Sequence, residues 1–100
     1  MTNDVVVTGM GMVSPVGNNI NESWNNLING NSGIDYIKSF DSDALETKIA
    51  GEIKNFDPIG IIGKKESRRM DRFSQLAMAA SLEALENADL SIDSSNENRI

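Results

Sequence analysis

Residues 8–17 read TGMGMVSPVG, directly after three consecutive β-branched residues, Val5, Val6 and Val7, and ahead of a helical pattern. Strand, glycine-rich turn, helix is how a dinucleotide-binding protein begins. The fingerprint requires G-x-G-x-x-G. Gly9 and Gly11 match it, but Ser14 stands at the third glycine position. Pro15 follows where a backbone N–H should face phosphate, and proline has none. An acidic residue about 20 positions further on should end a second strand. Asp35, the nearest, sits in or just after a loop. The stretch is therefore read as a tight turn. Gly9 and Gly11 allow positive φ or close packing, and Pro15 stiffens the exit.

Working outward, Asp4–Thr8 is predicted as a short strand, buried on both faces, because its valines run on without polar alternation. From about Asn19 to Asn29 the spacing predicts a helix, with Ile20, Trp24, Leu27 and Ile28 on one apolar stripe. Asn19 or Asn21 can cap its start, and Gly30 can supply the left-handed residue after its end. Residues 29–35 are a loop, and residues 34–37 can be extended. Phe40–Ala44 reads as a turn in which Asp41 bonds amides ahead of it. Thr47–Ile53 alternates as a second, peripheral strand. Asp57 as cap and Pro58 at the first helical position predict a helix of one or two turns.

The strongest helix follows Asp71, which can cap it, and runs through Ala88. Phe73, Leu76, Ala77, Ala80, Ala84, Leu85 and Ala88 give it a broad apolar face. Its alanines are expected to take neighbours outside this chain at close approach. Residues 89–98 are a loop. Arg99 and Ile100 read as the first step of another strand, so the chain is expected to be a fragment of a longer protein.

Composition narrows the chemistry. One hundred residues make at most one small domain. The net charge of −6 argues against nucleic acid and anionic membrane as partners. There is no cysteine, which removes disulfide, thiolate nucleophile and zinc knuckle. There is no histidine either, which removes the commonest general base and metal ligand. No catalytic residue, cofactor site or metal site is expected in these residues. The N-terminus has no signal-peptide pattern, and a cytoplasmic location is the default.

A wider pattern runs along the chain. VVVTGMGMVSPVG is followed in order by SW (Ser23-Trp24), GNSGI, FD, AGEIKNFDP and RRMDRFSQLA. This series resembles the N-terminus of β-ketoacyl-acyl-carrier-protein synthases, above all the type II elongating synthase of bacterial fatty-acid synthesis. Polyketide ketosynthases share the opening motif, but RRMDRFSQLA is more like the fatty-acid enzyme. NRI (Asn98–Ile100) fits the entry to the family's next strand. The resemblance implies the N-terminal part of a thiolase-like αβαβα fold, with residues 1–100 in its first half. It also implies a homodimer without cofactor. In that family a cysteine accepts the acyl chain, and two histidines assist decarboxylation of malonyl-carrier protein. None of the three is present here, so the chain alone is expected to be inactive.

One stretch carries a functional argument of its own. KKESRRMDR (Lys64–Arg72) holds five of the nine basic residues, with only Glu66 and Asp71 against them. Lys65, Arg68, Arg69 and Arg72 stand at i, i+3, i+4 and i+7 and would form a cationic stripe on a helix, unless it breaks near Met70-Asp71 and drops Arg72. A solvated helix face explains such a stripe blandly. The reversal of sign within an acidic chain points instead to an acidic partner. By resemblance that partner is the acyl carrier protein, met by Lys65, Arg68 and Arg69, with Lys64 and Arg72 less firmly included. The alternatives are a non-catalytic carrier-binding module, a polyketide ketosynthase N-terminus and a nucleotide-binding domain.

Overall fold

The computed structural model describes residues 3–100 and contains four helices and one two-stranded sheet among them. Helix α1 spans Ile20–Ile28. Asn19 caps it from extended backbone, its Oδ1 accepting from the Glu22 amide at 2.8 Å. Asn29 closes the helix, and Gly30 follows at φ 71°.

Strands β1 (Ile34–Tyr36) and β2 (Ile49–Gly51) pair antiparallel, with Ile34 opposite Gly51, Asp35 opposite Ala50 and Tyr36 opposite Ile49. Asp41 accepts from the Asp43 amide in the loop between them, as its turn chemistry predicts. Glu52, just past β2, reaches back across the hairpin to the Lys38 and Ser39 amides at 2.9 and 3.1 Å. The Ser39 hydroxyl and the Lys38 amide, joined by the Ser39 amide, hold its carboxyl below the usual carboxylate range.

Helix α2 (Pro58–Ile62) has proline at its first position and Asp57 as cap, accepting from the Gly60 amide at 3.1 Å. Gly63, at φ 104°, ends α2 and opens α3 (Lys64–Ser67). Helix α4 (Arg72–Asn87) is the longest element. Asp71 occupies its N-cap position with extended backbone, but its side chain makes no capping bond there. Ala88 caps the C-terminus, and Asp89 at φ 53° lets the Leu90 amide return to the Leu85 carbonyl.

Two predicted strands are absent. Asp4–Thr8 is not a strand, and Val5 is 98% exposed. No strand among the described residues lies beside it to accept its backbone bonds or cover its valines. Arg99 and Ile100 also lie outside any strand. The apolar faces are likewise largely open: Trp24 is 61% and Phe73 72% exposed, while the buried apolar residue is Ala79. The radius of gyration is 17.1 Å, against about 13 Å for a compact domain of this length. The accessible surface is 7981 Å², where a compact chain of this mass exposes about 5,600 Å².

Candidate functional site

The glycine-rich turn lies against α4. A Cβ on Gly11 would fall on the Ala80 carbonyl oxygen, and one on Gly9 on the Ala84 carbonyl oxygen and the Ala88 side chain. These two glycines are therefore packing residues, set directly against the α4 backbone at Ala80 and Ala84. Two polar side chains one helical turn apart fix the seam. Asn87 Oδ1 accepts from the Met10 amide at 3.1 Å, and Glu83 Oε1 from the Met12 amide at 2.9 Å. The Glu83 carboxylate also takes the Ile20 amide at 3.0 and 3.2 Å, at the N-terminus of α1. A dinucleotide site would offer these amides to phosphate. Here Asn87 already takes the Met10 amide and the Glu83 carboxylate the other two, and its charge repels a second anion. The nucleotide reading has no cradle to use.

Beyond the seam, Ser14 and Gly17 exchange backbone bonds around Pro15-Val16. Ser23 is fully buried beneath this turn; its hydroxyl donates to the Gly17 carbonyl and lies 2.8 Å from Ser14 Oγ. These bonds hold the turn onto the first turns of α1. Lys54 is structural too. Its Nζ lies 3.2, 3.3 and 3.4 Å from the carbonyls of Pro15, Gly33 and Glu52, joining the turn to the hairpin.

The five basic residues of the 64–72 stretch separate into two places. Lys64 and Lys65 lie in α3, and Arg68 continues its backbone at φ −68°, ψ −20°. Tight i→i+3 bonds carry the turn through Arg69 and Met70. Lys65, Arg68 and Arg69 thus keep their helical spacing. Asp71 then turns extended, so Arg72 starts a new helix and leaves the stripe. Its guanidinium lies over the Phe56 ring, 5.1 Å from the centroid.

Among the described residues, the turn's one ion pair joins Arg69 to Glu66 at 4.0 Å, with both side chains more than half exposed. Such a pair contributes little. Lys64, Lys65 and Arg68 reach no carboxylate among those residues. The turn is an exposed cationic surface with almost no partner of its own. It can receive anions.

Sequence patterns alone do not single out Glu83, Asn87, Lys54 or Phe56. The one signal that could have found Glu83 is a carboxylate set between Ala80 and Ala84 on an apolar helix face, and it names no partner.

The fold is part of the thiolase-like architecture of condensing enzymes. The solved structure titled "The ishigamide ketosynthase/chain length factor" matches it with TM-score 0.78 and 32% identity, over 86% of this chain and 21% of that one. The chain belongs to the β-ketoacyl synthase family: the family description "Beta-ketoacyl synthase, N-terminal domain" matches residues 2–100. Its relatives include the "3-oxoacyl-[acyl-carrier-protein] synthase 2" of Staphylococcus aureus (strain COL), 46% identical over 96 residues. The protein of the same name from Vibrio cholerae is 47% identical over 96 residues. Each match covers 96% of this chain and 23% of the relative. No helix among the described residues is long and apolar enough to cross a membrane.

Proposed function

We propose that residues 1–100 form the N-terminal segment of a 3-oxoacyl-[acyl-carrier-protein] synthase of fatty-acid elongation, in the first half of its condensing domain. The protein works in the cytoplasm as a homodimer without a cofactor. Its reaction is a decarboxylative Claisen condensation. Malonyl-carrier protein loses carbon dioxide, and the resulting carbanion attacks an acyl thioester held on a cysteine. The thiolate leaves, and the product is two carbons longer. That cysteine and the assisting histidines are supplied outside these hundred residues.

This segment's own contribution is to meet the acyl carrier protein, an acidic partner, through Lys65, Arg68 and Arg69, with Lys64 beside them. The observation that supports this reading is a nearly unpaired cationic turn on a chain of net charge −6, within a family whose named relatives act with a carrier protein. The higher identity to those relatives than to the ketosynthase/chain length factor favours the fatty-acid enzyme over the polyketide one. The protein as encoded should convert acyl- and malonyl-carrier protein to the 3-oxoacyl product, while residues 1–100 alone should give none. Turnover by the hundred residues above the uncatalysed background overturns the assignment of the chemistry to other residues.

A further inference from the structure

The basic turn stands on a closed neck. Phe56 lies just before α2, and Arg72 opens α4. Both short helices, and with them Lys64, Lys65, Arg68 and Arg69, lie between these two residues. The guanidinium over the Phe56 ring therefore brings together the two ends of the Asp57–Asp71 excursion. A second tie sits beside it, where Gln75 Nε2 donates to the Ser67 carbonyl at 2.9 Å and joins α4 to the last residue of α3. Arg72 also lines a groove of about 800 Å³ beside the hairpin, together with Asp35, Lys38 and Glu52. None of the four cations of the turn lines that groove.

We infer that Arg72 is a positioning residue: stacked on Phe56, it closes the neck of the Asp57–Asp71 excursion and sets the direction in which Lys65, Arg68 and Arg69 meet the carrier, without touching the carrier itself. This rests on the carrier-docking reading above. The physical reason is preorganisation. Neighbouring like charges on an exposed turn repel one another, and each long side chain loses rotamer freedom on binding. A base fixed beforehand reduces what must be ordered at encounter. A planar guanidinium suits the role because it stacks on a ring and keeps its charge at every working pH.

The test is a titration of the protein as encoded with an acidic acyl carrier protein, at several salt concentrations. Arg72→Ala and Phe56→Leu should each weaken binding about two- to five-fold, the scale of an exposed cation–π contact. Both should leave the slope of log Kd against log salt at its wild-type value, because no ion pair with the carrier is lost. Arg72→Lys and Phe56→Tyr, which keep cation and ring, should restore most of the affinity. Arg68→Ala should flatten the salt slope. If Arg72→Ala fails to fold, Arg72→Met keeps the stem over the ring without the charge and carries the same expectation. The inference is overturned if removing the Arg72 charge flattens the slope as Arg68→Ala does, or if Phe56→Leu binds like wild type while Arg72→Ala does not. Wild-type binding by both, with Lys65→Glu/Arg68→Glu/Arg69→Glu impaired, sinks the positioning role alone. Wild-type binding by that triple variant sinks the docking reading and the inference together.

Discussion

Between residues 9 and 12, the amides of Met10 and Met12 each find a side-chain acceptor on α4, and both glycines lie against its backbone. Between residues 64 and 69, Arg69 alone of four cations pairs with a carboxylate, Glu66 at 4.0 Å, among the described residues. The glycine turn has the motif of a ligand site, yet its polar groups are matched from within. The basic turn has the charge pattern of an ordinary solvated helix, yet three of its four cations have no carboxylate partner among the described residues. In a chain this acidic, that contrast is what the docking proposal rests on, and the glycine motif offers no comparable opening.

The comparison breaks most sharply at Gly11. Gly11→Val places its side chain against the Ala80 backbone, which cannot swing away as a side chain would. It should destabilise the protein as encoded by about 1–3 kcal/mol or somewhat more. The urea midpoint reads this directly, and an unchanged midpoint contradicts the close packing.

On the other side of the comparison, Lys65→Glu, Arg68→Glu and Arg69→Glu together should weaken carrier binding by roughly 0.6–3 kcal/mol, about 3- to 150-fold. The loss should fall mainly on the association rate. It should shrink towards 1 M salt, where the Debye length is about 3 Å. Three surface glutamates introduced elsewhere provide the control for net charge. Equal loss in that control removes the local claim.

Glu83→Ala is a smaller probe of the matched region. It leaves the Met12 and Ile20 amides without their acceptor in a half-buried place that water can reach. A loss of about 1 kcal/mol is expected, near the lower end for an unpaired donor. Hydrogen exchange at Ile20 should accelerate more than at Ile34, in the hairpin. Equal acceleration at both argues against a local anchor.

The smallest effect concerns acid. Glu52 titrates in the folded state below its ordinary value of 4.5. Its contribution to the hairpin is therefore complete above that value and is lost as pH falls through the lower folded one. The Lys38 and Ser39 amide resonances should move over that acid window and be still in Glu52→Gln. Movement that persists in the variant assigns the titration to another carboxylate.

Sequence makes legible what neighbours along the chain decide. Asn19 and Gly30 bracket α1, Asp57-Pro58 starts α2, and Asp71 marks the break that removes Arg72 from the stripe. The valines of residues 5–7 depart from the strand their pattern predicts, because burial depends on elements that come from elsewhere, and none flanks them among the described residues. The apolar face of α4 is predictable in type but not in detail: the glycines lie against its backbone at Ala80 and Ala84, whereas Phe73 is exposed. Glu83, Lys54 and the Phe56–Arg72 contact join positions far apart in sequence, where no local pattern signals a partner. Of the proposed docking surface, the charges are legible; how few internal partners they have and the stem beneath them emerge only in three dimensions.

The Glu83 anchor also imposes an order in time. The Ile20 amide at the start of α1 waits for a carboxylate 63 residues downstream, and the Met10 amide for a carbonyl 77 residues downstream. At ribosomal rates of about 5–20 residues per second, the first wait is roughly 3–13 s. Helix turns form in well under a millisecond, so α1, capped locally by Asn19, can emerge as a helix long before Glu83 reaches its Ile20 amide. During that interval the nascent segment carries an undocked glycine loop, the kind of surface on which chaperones act.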